Sequence, residues 1–233
     1  MNIALLGYGK MGKAIETIAI KRGHEIVLKV SRDQKDYSLK NVDVAIDFSL
    51  PSSAFENISN CFQQHTPIIS GTTGWLEKYD DAVALCNQNK GTFLYASNFS
   101  LGVNIFFEVN NTLAKLMKSL PQYEVGIEEI HHIQKLDSPS GTAITLAEEI
   151  IKQSDYKNWT LETAKPKEIG ILAKRIENVP GTHEIKYESE VDSISIKHTA
   201  HSREGFALGA VIAAEWIHDK TGVYTMKDVL NIG

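Results

Sequence analysis

Ile3-Ala4-Leu5-Leu6-Gly7-Tyr8-Gly9-Lys10-Met11-Gly12 sets a short apolar run directly against a glycine turn and the start of a helical segment. A GxGxxG spacing is weak alone and gains meaning where a strand feeds it and a helix leaves it, as here. Gly7 permits a tight turn, Gly9 lets the backbone approach a pyrophosphate, and Gly12 lets the helix pack closely on the strand. Free N–H groups at the helix start then face an anion. The loop from Gly7 to Gly12, with Tyr8, Lys10 and Met11 in its variable positions, is therefore expected to bind a dinucleotide. A glycine turn without a ligand is the competing reading, and the placement between strand and helix counts against it. A Walker A loop is excluded, because Lys13 is followed by Ala14 and the glycine spacing differs.

Outward from that loop the same alternation continues. Apolar runs at residues 3–6, 26–30, 42–46, 67–70 and 93–96 are separated by amphipathic segments at about 11–22, 52–64 and 76–89. This is the pattern of βαβ units and a parallel sheet. From residue 103 the pattern changes to a long helix closed by Pro121, a strand at 123–130, a polar loop and a helix at 142–152. Strand-like runs at 171–176, 183–187 and 193–198 then follow without regular helices between them, which suggests a separate antiparallel or mixed layer. Residues 206–217 and 226–230 read as helical again. The expected fold class is α/β: a Rossmann-type parallel sheet from residues 1–100 and 204–233, and a second α+β domain with a mixed sheet from residues 101–203.

The end of the second strand usually carries an acid for the adenosine ribose of NAD. Here the chain reads Val30-Ser31-Arg32-Asp33. Ser31 removes a repulsion toward a 2′-phosphate and Arg32 offers it a cation, so NADPH is expected over NADH. Asp33 can still serve the ribose if the strand ends later. Gly71-Thr72-Thr73-Gly74 and Ala96-Ser97-Asn98-Phe99 fall at strand carboxyl ends, where small residues leave room for a nicotinamide. Ordinary turn chemistry explains each of these loops equally well.

Chemistry is densest from Glu128 to Ala143, which includes His131, His132, Lys135, Asp137, Ser140, Gly141 and Thr142. Ser140, Gly141 and Thr142 place hydroxyls and free N–H groups at a helix start, and Lys135 adds a full positive charge, so a small anionic substrate is the expected guest. The histidines supply groups that transfer protons near neutral pH. Taken singly, Ser140 or Thr142 is a helix cap and each histidine a surface residue; together they point to a site. His131, His132, Asp137, His198 and His201 are the metal-ligand types at hand. No metal is expected of them, because adjacent histidines on a strand point to opposite faces.

A net charge of −5 argues against a general nucleic-acid surface. No apolar stretch reaches the roughly 20 residues that span a bilayer, and no signal peptide precedes the first strand, so a cytoplasmic location is expected. Cys61 and Cys86 lie in amphipathic segments and read as small buried hydrophobes.

With these motifs assembled, the chain resembles the dihydrodipicolinate reductase family. The resemblance runs through the glycine loop, Asp47-Phe48-Ser49, the Gly71–Gly74 loop, Ser97-Asn98-Phe99-Ser100, Gly102-Val103-Asn104, the His131-His132 to Ala143 segment, and Arg203 with Phe206 to Ala210. It implies NAD(P)H-dependent reduction of 4-hydroxy-tetrahydrodipicolinate to tetrahydrodipicolinate in the diaminopimelate route to lysine. It implies His131 as the acid/base group, Lys135 as proton donor, and His132, Gly141 and Thr142 as substrate ligands, to which the helix-start reading adds Ser140. It also implies a homotetramer joined through the second domain's sheet, with hinges at 97–100 and 202–205. Ile133 and Gln134 stand where many relatives carry basic residues, and Ser31 replaces the usual acid. Alternatives are another NAD(P)-dependent dehydrogenase acting on a small amino or keto acid, and a non-catalytic dinucleotide sensor. The proton donors beside the pocket count against the sensor, and the Lys135 to Ala143 segment against the other dehydrogenase.

Overall fold

Ile3 and Leu5 project to one side of the first strand and Ala4 and Leu6 to the other, and all four are buried. A strand covered on both faces belongs inside a parallel sheet with helices on each side. The computed structural model, which describes residues 1–31, 34 and 36–232, has that arrangement. Strands β1 (Asn2–Leu6), β2 (Glu25–Val30), β3 (Val44–Asp47), β4 (Ile68–Ser70), β5 (Thr92–Tyr95) and β11 (Gly222–Tyr224) form a sheet in the order β11-β5-β4-β3-β1-β2. Every pairing in it is parallel. Because β2 and β3 flank β1 on opposite sides, the winding reverses between β1 and β3, and ligands of open α/β sheets sit at the carboxyl ends of such a switch point.

Helices α1 (Lys10–Lys21), α6 (Glu204–Ile217) and α7 (Met226–Leu230) cover the face that carries Ile3, Leu5, Ile69 and Leu94. Helices α2 (Pro51–Gln63) and α3 (Tyr79–Gln88) cover the face with Leu6, Ile68 and Phe93. Cys61 and Cys86 are buried free thiols within that second core. Burial pushes both thiols up, Cys86 to about 11, so neither is a ready thiolate. These elements make up one compact unit, Met1–Asn104 with Glu204–Gly233; the other unit is Ile105–Arg203.

In the second unit, β6 (Glu124–His131), β7 (Asn158–Thr160), β8 (Glu168–Arg175), β9 (Gly181–Glu188) and β10 (Ser193–Ala200) form a sheet in the order β10-β9-β6-β8-β7. It is mixed: β6 pairs parallel with β8 and antiparallel with β9. One face of this sheet carries Val125, Ile127, Ile171, Ile185 and Tyr187 into a core. Opposite them lie Phe106, Ala114 and Met117 of α4 (Leu101–Met117) and Leu146, Ala147 and Ile150 of α5 (Gly141–Gln153). No helix among the described residues is long and apolar enough to cross a membrane.

The structure departs from the sequence reading at several edges. β3 begins two residues later than the apolar run and ends one later, which brings Asp47 to the strand end. A 3-10 turn, Leu76–Lys78, precedes α3 in place of one continuous helix. α4 ends at Met117, short of Pro121. β7 and β11 have no counterpart among the expected strands; each is three residues long, too short for an alternating pattern to show.

Candidate active site

In the first unit the loop leaving β1 is built by close contact. Gly7 has φ +97°, and a Cβ there would lie 2.3 Å from the carbonyl oxygen of Phe48. A Cβ at Gly12 would lie 2.5 Å from the carbonyl oxygen of Gly7, whereas one at Gly9 would meet nothing within 4 Å. The outer glycines are thus demanded by the protein's own packing, and the middle one leaves a space open. Gly9 is the N-cap of α1 without a side-chain cap, and the first turn holds no acid, so its N–H groups are available to an anion. Lys10 and Met11 belong to that turn. A cavity of about 990 Å³ opens beside the loop, lined by Gly7, Tyr8, Gly9, Ser31, Phe48 and Ser49 among others. Arg32, expected to meet a 2′-phosphate, lies outside the described residues, as does Asp33.

Asp47 organises the switch point. Its buried carboxylate accepts hydrogen bonds from Asn57 Nδ2 (3.0 Å), Ser70 Oγ (2.8 Å) and Thr72 Oγ1 (2.7 Å), while Thr72 Oγ1 accepts from the Ser49 N–H (2.9 Å). Burial pushes this carboxyl up, against the pull of its donors. The hydroxyl of Thr72 is thereby committed to the scaffold. Gly71 lies against the Phe48 ring, where a Cβ would come within 2.4 Å. Asn98 Oδ1 accepts from the Ser100 N–H at 2.8 Å, and Asn104 Nδ2 donates to the Asn98 carbonyl at 2.9 Å. Phe99 is a core residue, 5.7 Å from the Phe48 ring between centroids, so its backbone is what it has to offer a ligand. Thr73, Ala96 and Ser97 follow strand ends, as expected, but do not line the cavity.

In the second unit, strand alternation turns Glu129 and His131 to the same buried face of β6. Glu129 is fully buried and accepts from the Ser140 N–H (3.1 Å) and from both terminal nitrogens of Arg175 (3.2 Å). His131 Nδ1 lies 3.2 Å from Glu129 Oε2, close but off the line of a hydrogen bond, and His183 Nε2 lies 3.7 Å from the same oxygen. Burial alone would push the Glu129 carboxyl up; contact with His131, His183 and the Ser140 N–H outweighs it and holds the group far below the usual carboxylate range. His183 is pushed down by burial, with the Glu129 contact opposing.

Ser140 caps α5, its Oγ accepting from the Ala143 N–H at 3.2 Å and standing 3.1 Å from His183 Nε2. Gly141 and Thr142 open the helix, where a Cβ on Gly141 would meet nothing within 4 Å. The Lys135 ammonium pairs with Asp137 at 2.8 Å, and that partner holds the Asp137 carboxyl below its ordinary value. His132 follows β6 in a turn, its carbonyl accepting from the Lys135 N–H at 3.1 Å, and its buried Nδ1 has no hydrogen-bond partner among the described residues. Glu129, His131 and His183 each offer a ligand atom within 4.8 Å of the others, a composition a metal ion can use. The Arg175 guanidinium already occupies the carboxylate and repels a second cation. His132, Asp137, His198 and His201 are not part of that trio.

One unit holds a glycine turn whose helix start is open to an anion, and the other a buried carboxylate–imidazole centre; both features suit a nicotinamide-dependent oxidoreductase. Residues 1–99 match the family described as Dihydrodipicolinate reductase, N-terminus, and residues 102–230 match Dihydrodipicolinate reductase, C-terminus. The 4-hydroxy-tetrahydrodipicolinate reductase of Christiangramia forsetii is 59% identical over 234 residues, covering 99% of this chain and 98% of that protein. That of Neisseria gonorrhoeae is 33% identical over 93% of this chain and 84% of its own. The solved dipicolinate-bound dihydrodipicolinate reductase from Paenisporosarcina sp. TG-14 shares the fold, with a TM-score of 0.79 at 22% identity over 97% of each chain. The chain belongs to the dihydrodipicolinate reductase family, an oxidoreductase family of lysine biosynthesis that uses a pyridine nucleotide.

Proposed function

We propose that the chain reduces 4-hydroxy-tetrahydrodipicolinate, or the dihydrodipicolinate derived from it, to tetrahydrodipicolinate, with His131 as acid/base group and Lys135 as proton donor. Bound NADPH supplies the hydride. Loss of water from the 4-hydroxy compound leaves the conjugated imine of dihydrodipicolinate; as that imine takes up hydride, electron density builds on the ring, and the Lys135 ammonium neutralises it by delivering a proton to the neighbouring carbon. Gly141 and Thr142 offer one substrate carboxylate the N–H groups of the α5 start, with Ser140 and His132 alongside. The observation that carries the reading is the network that ties the α5 start to the Lys135 turn: the Ser140 N–H and Arg175 both donate to Glu129, Arg175 also donates to the Lys135 carbonyl, and the Lys135 amine is paired with Asp137, an exposed side chain that a substrate carboxylate can replace.

NADPH is the preferred dinucleotide in this reading, because Ser31 lines the cavity where an acid would repel a 2′-phosphate. NADH is the second choice, favoured by Asp36 and Glu56 in the same lining. The homotetramer contact is assigned to the outer face of the mixed sheet, where half-exposed Leu161 and Leu172 border a shallow hollow of about 410 Å³.

The test is oxidation of NADPH and of NADH by the purified protein with freshly generated substrate, using aspartate semialdehyde and pyruvate as separate blanks. Oxidation confined to the complete mixture, with the higher kcat/KM for NADPH, is expected. No oxidation of either nucleotide overturns the reaction, and a higher kcat/KM for NADH overturns the Ser31 argument.

A further inference from the structure

We infer that Glu129 and Arg175 act as one positioning device that sets both proposed proton-transfer groups, His131 and Lys135. The inference rests on the roles proposed above for those two residues and adds the parts that hold them. Glu129 is a carboxylate with no exposure to solvent, and such a group persists only where partners occupy both of its oxygens. Oε1 receives the Arg175 guanidinium at 3.2 Å and the Ser140 N–H at 3.1 Å. Oε2 faces the ring nitrogens of His131 and His183.

His131 Nδ1 is buried and has no hydrogen-bond partner among the described residues, and Glu129 Oε2 stands 3.2 Å from it. A carboxylate in that position favours the tautomer with the proton on Nδ1, which leaves Nε2 as the atom that exchanges a proton with a reacting group. The edge that bears Nε2 is kept clear by Gly181, where a Cβ would come within 3.1 Å of that nitrogen.

Arg175 extends the same device to the lysine. It pairs in register with His131 across β6 and β8. Beyond Glu129, its Nε donates to the Lys135 carbonyl at 3.3 Å and one terminal nitrogen donates to the Asp137 carbonyl at 2.6 Å. The turn that presents the Lys135 amine is thus tied at both ends to the cation that neutralises Glu129. A planar fork with five donors suits this task, and an ammonium does not.

Glu129→Gln, Glu129→Asp and Arg175→Lys in the full chain test the assignment. The readings are kcat and KM with NADPH and substrate, the Kd for NADPH, and the 15N spectrum of the His131 ring. Glu129→Gln is expected to lower kcat by on the order of a hundredfold, leave the NADPH Kd within about twofold, and shift His131 toward the other tautomer. Arg175→Lys is expected to lower kcat and raise the substrate KM, each by about tenfold, with the His131 tautomer retained. Glu129→Asp restores the Nδ1–H signal and part of kcat, and it decides the matter if the glutamine variant does not fold. An unchanged tautomer and a kcat within about threefold of the parent in a folded Glu129 variant, or full activity in Arg175→Lys, overturns the inference. His131→Ala and Lys135→Ala run in parallel: if they keep full turnover, the proton-transfer reading itself has failed. If they lose turnover while the Glu129 and Arg175 variants keep it, the positioning role alone falls.

Discussion

Gly7, Gly9 and Gly12 look equivalent in the sequence, yet their surroundings separate them. A methyl group at Gly7 would strike the Phe48 carbonyl in a left-handed backbone conformation, and one at Gly12 would strike the Gly7 carbonyl. Neither obstacle is a flexible side chain, so the backbone must move. Gly7→Ala and Gly12→Ala are each expected to lower folding stability by about 1–3 kcal/mol, measured by urea denaturation. Gly9→Ala should leave the denaturation midpoint where it is and raise the Kd for the dinucleotide, because its methyl group projects into space that the protein leaves open. A Gly9→Ala protein that unfolds early and binds normally contradicts the assignment of that space to a ligand. The same logic applies within α6, where Gly209 lies so close to the Phe99 carbonyl that any Cβ overlaps it.

Strand β6 shows how one element joins core and chemistry. Its buried face begins with Val125 and Ile127 and ends with Glu129 and His131, so the same alternation that packs α4 and α5 delivers the carboxylate and imidazole to one side. This arrangement makes the second unit sensitive to acid. His183, pushed down by burial, stays neutral in the folded chain while the unfolded chain takes up a proton below the ordinary value of 6.5. Stability therefore falls as pH drops through 6.5 toward the lower folded value. Glu129, held far below its ordinary value of 4.5, adds stability that is complete above 4.5 and is lost as pH falls further. Urea denaturation at pH 7, 5.5 and 4 is expected to show a midpoint that falls in both intervals, and His183→Gln should reduce the first fall without abolishing it, because burial pushes His198 down as well. A midpoint constant from pH 7 to 4 contradicts both assignments.

Part of this element is legible in a single sequence and part is not. The apolar alternation locates the strand, and the run from His131 to Thr142 gathers the residue types on which the proposed proton transfer and anion binding rest. Glu129 sits two residues before His131 on the same face, inside the segment rich in chemistry, but nothing in the sequence marks it as the buried partner of two histidines. His183 and Arg175 carry no such signal, because register decides them: Glu129 meets His183 across β9, and His131 meets Arg175 across β8. Register between strands some fifty residues apart leaves no periodic trace in either segment. The geometry of the glycine loop is legible for the opposite reason, since its strand, glycines and helix start are contiguous. Phe99 reads as a cofactor ligand because its loop follows a strand end; its ring instead fills the core beside Phe48.

At the scale of the molecule, the proposed cofactor residues and the proposed proton-transfer residues belong to different compact units. The family match runs through both, over residues 1–99 and 102–230. The parallel unit has an open glycine and a helix start without a side-chain cap, where the dinucleotide is proposed to bind. The mixed-sheet unit has a buried carboxylate and two imidazoles, with Glu129 and His183 in contact with Ser140 at a second helix start, and it carries the Lys135 amine paired with Asp137. This division of labour predicts that damage to one unit's chemistry spares the other unit's ligand. The direct measurement is single-turnover reduction by His131→Ala and Lys135→Ala, with the NADPH Kd of each variant determined by fluorescence titration. Turnover lowered by on the order of a hundredfold or more, with the Kd unchanged within about twofold, is the predicted result. Turnover at the parent rate in both variants would contradict the account.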